Sequence, residues 1–88
     1  MNLDEIRVEI DAVDAALTAL FEKRMALVKQ VAEFKKANGV ALTDASREAA
    51  VLEKNRERLS DPALGVYLDD LFRQLIHLSK LYQQSLNP

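Results

Sequence analysis

A heptad stripe of apolar residues runs through the first 34 residues of this sequence and limits what the chain can fold into. Ten positions follow one another at alternating steps of three and four residues, and nine of the ten are apolar. This spacing is that of one face of an α-helix. The stripe consists of Leu3, Ile6, Ile10, Val13, Leu17, Leu20, Arg24, Leu27, Val31 and Phe34. It predicts one long helix that closes at Asn38-Gly39, a pair typical of helix C-termini.

A small number of helix-breaking residues divides the rest of the chain into two further helices. The sequence has only two Gly and two Pro residues. Thr43 and Asp44 are N-cap candidates for a short second helix, and Ser60-Asp61-Pro62 marks a stop and a restart. We therefore predict a single all-α domain over residues 1–88, with helices at about 3–38, 44–59 and 62–86.

The length of the first helix predicts that two chains associate. Its 36 residues would span about 54 Å, whereas a compact domain of this size is only about 30 Å across. One chain cannot cover the stripe, so we expect an intertwined homodimer with two-fold symmetry. A simple coiled coil is the alternative, but the apolar faces of the second and third helices favour a bundle.

Charge and composition exclude several classes of function. The net charge is −2, with no Cys and a single His, which argues against nucleic-acid binding, disulfides, thiolate chemistry, zinc sites and a Ser-His-Asp triad. We expect no metal and no cofactor. No apolar run approaches the roughly 18 residues of a membrane span, and the acidic amino terminus is unlike a signal peptide. The cytoplasm is therefore the expected location.

Arg24 interrupts the apolar stripe where an unpaired charge is costly to bury. Lys35 follows 11 residues later, about 16 Å along the axis and about 20° from the same face. The two side chains could hold a small anion between them. The alternative is that Arg24 pairs with a carboxylate of a neighbouring helix while Lys35 extends toward solvent.

Polar residues of the other two helices could complete such a site. Ser79 and Gln83 are i,i+4 neighbours on an otherwise apolar stripe of the third helix, and buried polar groups need partners. Arg47 and Glu48 lie in the first turn of the second helix, where an anion is also favoured. Taken alone, a first-turn Glu is common and Arg47 fits a solvated surface charge.

Arg7 lies too far from Arg24 to share a ligand with it in one chain, because the two are about 25 Å apart and about 100° round the helix. In an antiparallel pair of long helices, Arg7 of one chain reaches the Arg24 region of the other. The combined residues describe a mostly enclosed, cationic pocket for a small polyanion. Such a pocket acts by positioning and fixed electrostatics.

The whole chain resembles the all-helical chorismate mutase family. The stretches that carry the resemblance are IRVEIDAVDAALTALFEKRMALVKQVAEFKK, TDASREAAVLE and LFRQLIHLSKLYQQSL, one for each helix. The resemblance implies a domain-swapped homodimer and an isomerase of the shikimate pathway. Its reaction is the [3,3] rearrangement of chorismate to prephenate, the branch step toward Phe and Tyr.

The resemblance also implies roles for eight residues. The substrate-binding positions would be Arg7 from the partner chain, Arg24, Lys35, Asp44, Arg47, Glu48, Ser79 and Gln83. Lys35, Gln83 and Arg24 would be catalytic: the two Arg would clamp the substrate carboxylates, while Lys35 and Gln83 would donate to the ether oxygen. An isochorismate-pyruvate lyase of the same fold and a non-catalytic dimerisation or regulatory module remain as alternatives.

Overall fold

A computed structural model describes residues 1–87 as an all-helical chain. Helix α1 spans Leu3–Asn38, α2 spans Ala45–Glu57 and α3 spans Gly65–Leu86, with a 3-10 turn at Pro62–Leu64 before α3. The prediction of an all-α chain with one long, one short and one medium helix is confirmed.

Local side chains and one glycine set the ends of α1. The side chain of Asn2 accepts a hydrogen bond from the Glu5 backbone N–H at 2.9 Å. At the other end, Gly39 adopts a left-handed conformation with φ of 64°, and its N–H donates to the carbonyl of Lys35. Gly takes this conformation at little steric cost. The long stripe therefore ends where the chain turns back on itself.

Helix α2 is shorter than the 44–59 range predicted from sequence. Asp44 lies outside it as the N-cap, since its carboxylate accepts from the Arg47 backbone N–H at 3.0 Å. The C-terminal turn tightens, because Arg58 and Leu59 donate to the carbonyls three residues before them. Such bonds are usual in the last turn of a helix.

The third helix differs from its predicted range only in its first turn. Asp61 caps this turn by accepting from the Ala63 N–H at 3.0 Å, and Pro62 follows at the first position. Leu64 donates to the carbonyl of Asp61, a 3-10 bond. The α-helical pattern then starts at Gly65.

The C-terminal half of α1, together with α2, packs against α3. The side-chain amide of Asn87, just after α3, donates to the backbone carbonyl of Ala32 at 2.9 Å. Ala32 itself is fully buried. Residues 1–23, in contrast, are exposed throughout. The molecule is accordingly elongated, with extents of 54 × 24 × 15 Å and a radius of gyration of 16.0 Å, against about 12 Å for a compact chain of this length.

Most of the apolar stripe of α1 faces solvent in the single chain. Leu17 is 54% exposed, Leu20 62% and Phe34 64%. Contiguous apolar surfaces of this kind usually mark interaction sites. None of the helices in the described part of the chain has the length and apolar character that crossing a membrane requires.

Candidate active site

A cleft of about 180 Å³ opens where the three helices meet. The second half of α1 forms one wall, the start of α2 forms another, and the last turns of α3 close the third side. Its apolar lining includes Val28, Val51 and Ile76, with Leu42 contributed by the segment between α1 and α2.

Seven of the eight residues singled out in the sequence line this one cleft. They are Arg24, Lys35, Asp44, Arg47, Glu48, Ser79 and Gln83. The eighth, Arg7, is exposed on the first half of α1 and does not line the cleft of its own chain. Their roles toward a ligand remain predictions.

Arg24 reaches across the cleft to α3. Its Nη1 donates to Ser79 Oγ at 2.5 Å, and Ser79 Oγ in turn donates to the carbonyl of Leu75 at 2.6 Å. Desolvation by burial, and then the positive charge of Arg47, lower the pKa of Arg24. The neighbour of Arg24 is thus a hydroxyl and a second cation rather than the carboxylate that the alternative interpretation required. The field around this guanidinium favours an anion.

Lys35 is held at the opposite end of the cleft. Its Nζ donates to the backbone carbonyl of Leu42 at 2.9 Å. This bond uses one of the three ammonium donors and leaves the charge unpaired by any carboxylate in the described residues. Lys35 is partly buried, so it does not extend into solvent as the alternative proposed. It can donate to a ligand while it is held by the loop.

Gln83 brings unused hydrogen-bonding capacity to the cleft. The residue is 7% exposed, and within residues 1–87 its buried Oε1 has no hydrogen-bond partner. Buried amides are normally satisfied, so this side chain is suited to completing its bonding with a ligand. Rotation about its last side-chain torsion exchanges the amide oxygen and the NH₂ group. The residue can therefore present either a donor or an acceptor.

Glu48 is paired with a residue that the sequence interpretation missed. Lys80 Nζ lies 3.0 Å from Glu48 Oε2, and both side chains are about 30% exposed, at 30% and 28%. Lys80 also lines the cleft. A signal was available, because Lys80 is three residues before Gln83 and so lies on the same side of α3.

The cleft as a whole carries an excess of positive charge. Its charged lining residues are four cations, Arg24, Lys35, Arg47 and Lys80, and two carboxylates, Asp44 and Glu48. One carboxylate caps α2 and the other is paired. The remaining excess of two positive charges matches a small dianion.

Known proteins resemble this chain over most of its length. The sequence profile of type II chorismate mutases matches residues 6–84. The chain belongs to the type II chorismate mutase family. The resemblance stated from the sequence is thereby confirmed. All eight predicted site residues lie inside the matched range, including Arg7 at its start.

Individual relatives of this chain differ in length. It is 33% identical over 87 residues to the chorismate mutase of Methanocaldococcus jannaschii, covering 94% of this chain and 85% of that protein. It is 36% identical over 81 residues to the T-protein of Enterobacter agglomerans and 33% identical over 78 residues to that of Haemophilus influenzae. These matches cover 89% and 88% of the chain but only 21% of each T-protein.

Proposed function

We propose that this chain converts chorismate to prephenate by a [3,3] rearrangement. Family membership gives the reaction class. The single observation that carries the proposal is the convergence of Arg24, Lys35 and Arg47 from two helices on a cleft with an excess of positive charge. Chorismate is a dicarboxylate, so its charge complements this cleft. The reaction is unimolecular and needs no proton transfer, which suits a site built from fixed charges and hydrogen-bond donors.

The two carboxylates of chorismate are assigned to the guanidinium groups. Arg24, already fixed by Ser79, would bind one carboxylate, and Arg7 of a second copy would bind the other. Arg47 and Ser79 would complete these contacts, Arg47 through water. A guanidinium binds a carboxylate with two parallel hydrogen bonds, which fixes direction as well as charge. The enolpyruvyl arm would thereby be held over the ring.

The bond-breaking end of the substrate is assigned to Lys35 and Gln83. As the ether C–O bond breaks and the new C–C bond forms, the ether oxygen gains negative charge. Donors directed at that oxygen stabilise the transition state more than the ground state. Glu48, with the backbone near Asp44, would accept a bond from the ring hydroxyl.

The active form is proposed to be an intertwined, domain-swapped homodimer. The exposed stripe of α1 supports this, and so does the charge pattern of the helix. Residues 1–22 carry six carboxylates and one Arg, whereas residues 23–38 carry five cations and one carboxylate. An antiparallel pair of α1 helices sets the acidic half of each against the basic half of the other. The same arrangement brings Arg7 of one copy toward Arg24 of its partner.

Incubation of the purified protein with chorismate tests the proposal directly. We expect loss of chorismate absorbance with prephenate as the product. Release of pyruvate from isochorismate, with chorismate left unchanged, would instead identify a lyase of the same fold. No turnover of either compound would identify a non-catalytic dimerisation or regulatory module. The carboxylate of Glu48 favours the mutase, since it suits the hydroxyl position of chorismate.

A further inference from the structure

Lys80 is a fourth cation of the cleft, and it differs from the other three in its partner. Arg24 contacts a hydroxyl and Lys35 a backbone carbonyl, whereas Lys80 Nζ lies 3.0 Å from the carboxylate of Glu48. The pair joins α3 to α2 across the cleft. Its two side chains are shielded from solvent over about 70% of their surface, at 30% and 28% exposure.

Several other cations line the walls around this carboxylate. Arg24, Lys35 and Arg47 line the same cleft, and Arg73 of α3 lines a shallow hollow next to it together with Glu48 and Lys80. A Glu48 side chain without a fixed partner would pair with one of them. Pairing with Arg24 or Arg47 would occupy a group that the substrate carboxylates need.

The geometry points to Lys80 as the positioning residue for Glu48. Lys80 holds Glu48 Oε2, so that Oε1 accepts a bond from the ring hydroxyl of the substrate and Arg24, Lys35 and Arg47 stay available for its carboxylates. This inference rests on the proposed function. It assigns Lys80 an indirect part: the ammonium acts through the carboxylate and does not contact the reacting atoms.

The first test is the steady-state kinetics of Lys80→Met with chorismate. Without Lys80, Glu48 would compete with the substrate carboxylates for the cations of the cleft, in the ground state and in the transition state alike. We therefore expect KM to rise about tenfold with kcat within about twofold of wild type. Lys80→Arg keeps a cation within reach of Oε2 and should restore KM to within about threefold of wild type. Circular dichroism and thermal melting verify that each variant is folded.

Arg56→Met provides the matched control. Arg56 Nη2 lies 3.3 Å from Asp69 Oδ2 and likewise joins α2 to α3, but neither residue lines the cleft. If the ion pairs served only to hold the helices together, both Met variants would change the kinetics alike. We expect Arg56→Met to leave KM and kcat within about twofold of wild type.

A double-mutant cycle separates action through Glu48 from direct contact with the substrate. In a Glu48→Gln background Lys80 has no carboxylate to hold, so Lys80→Met should raise KM less than about twofold there. Calorimetric binding of prephenate replaces kinetics for any variant too slow to assay. An unchanged KM in Lys80→Met, or a tenfold effect that persists in the Glu48→Gln background, would overturn the inference. Neither outcome would affect the proposed mutase activity. An inactive wild-type protein would instead overturn the proposed function, and this inference with it.

Discussion

Single residues of the cleft show how a charge is tolerated inside an apolar stripe. Arg24 stands at a heptad position, yet it is not surrounded by apolar side chains, because Ser79 accepts its Nη1–H and Arg47 lies nearby. A guanidinium beside another cation is unfavourable in the free protein. An anionic ligand relieves that repulsion, so the bound state stabilises Arg24 and Arg47 relative to the free protein.

Lys35→Ala should nearly abolish turnover while the protein stays folded. A millionfold rate enhancement corresponds to roughly 8 kcal/mol, and removal of one transition-state donor commonly costs about 3–4 kcal/mol. The lost bond to the Leu42 carbonyl should cost only about 1 kcal/mol of folding stability.

The measurement is kcat for Lys35→Ala beside thermal melting, with Lys29→Ala as the control. Lys29 is an exposed lysine of the same helix and does not line the cleft, so its removal should leave kcat unchanged. A Lys35→Ala variant with more than about a tenth of wild-type kcat would contradict the assigned role.

Gln83→Glu should make activity fall as pH rises. The introduced carboxyl can donate to the ether oxygen only while protonated. Above its pKa it is anionic and repels the charge that develops there, so kcat/KM should drop about tenfold per pH unit beyond that point. The measurement is kcat/KM from about pH 4.5 to 8, normalised to wild type. A profile parallel to that of wild type would mean that this side chain does not contact the ether oxygen.

At the scale of elements, caps and one turn decide where the long helix stops and the cleft begins. The segment between α1 and α2 carries Leu42, whose carbonyl holds Lys35, and Asp44, whose carboxylate starts α2. Gly39 begins this segment in a left-handed conformation. The backbone there therefore sets the position of two cleft walls at once.

Gly39→Ala should destabilise the fold by about 1–2 kcal/mol, because φ of 64° is unfavourable for an L-residue with a Cβ. Among the described residues, no atom outside Gly39 and its two chain neighbours lies within 4 Å of the Cβ position, so the cost comes from the local backbone conformation and not from a clash with the rest of the fold. Gly39→Asn is the matched comparison, since Asn enters this region more readily.

Chemical denaturation at one protein concentration measures both Gly39 variants, and the Asn variant should retain more stability than the Ala variant. An Ala variant as stable as wild type would mean that α1 does not need the left-handed residue to end.

At the level of the whole molecule, a single chain leaves the apolar face of α1 largely uncovered. A chain 54 Å long and 15 Å thick has too little interior to bury its own stripe, and the apolar positions of the first half of α1 are solvent-exposed in isolation. A second copy would bury this stripe and supply the Arg7 that each cleft lacks. Folding and completion of the site would then be one event.

Hybrid dimers test whether Arg7 acts in the partner's site. Arg7→Ala and Lys35→Ala should each be nearly inactive alone. Unfolded together and refolded as an equal mixture, half the dimers are hybrids, and each hybrid holds one site with both groups intact. We expect recovery of about a quarter of wild-type activity.

The matched control mixes Lys35→Ala with Gln83→Ala. Both residues belong to the cleft of their own chain, so every site in that mixture keeps one defect and no activity should return. Recovery in the control, or none in the Arg7→Ala mixture, would exclude the proposed exchange.

Local sequence signals were enough to predict the helices and most of the residues that line the cleft. Heptad spacing, the Asn38-Gly39 pair and the Ser60-Asp61-Pro62 break are local signals, because helix periodicity and capping depend on residues within one or two turns. The same periodicity placed Arg24 and Lys35 on one face and Ser79 with Gln83 on another. The predicted ranges differ from the structure by a few residues at α2 and by one 3-10 turn at α3.

The contacts that side chains make between different elements, in contrast, follow from the packing of the folded chain. Three such contacts are Arg24 with Ser79, Lys35 with the Leu42 carbonyl, and Lys80 with Glu48. They depend on how the helices pack and on which side-chain rotamers then come within bonding distance. Periodicity fixes the direction of a side chain around its own helix axis. It carries no information on the distance to the next helix, and hydrogen bonds and ion pairs are decided by that distance.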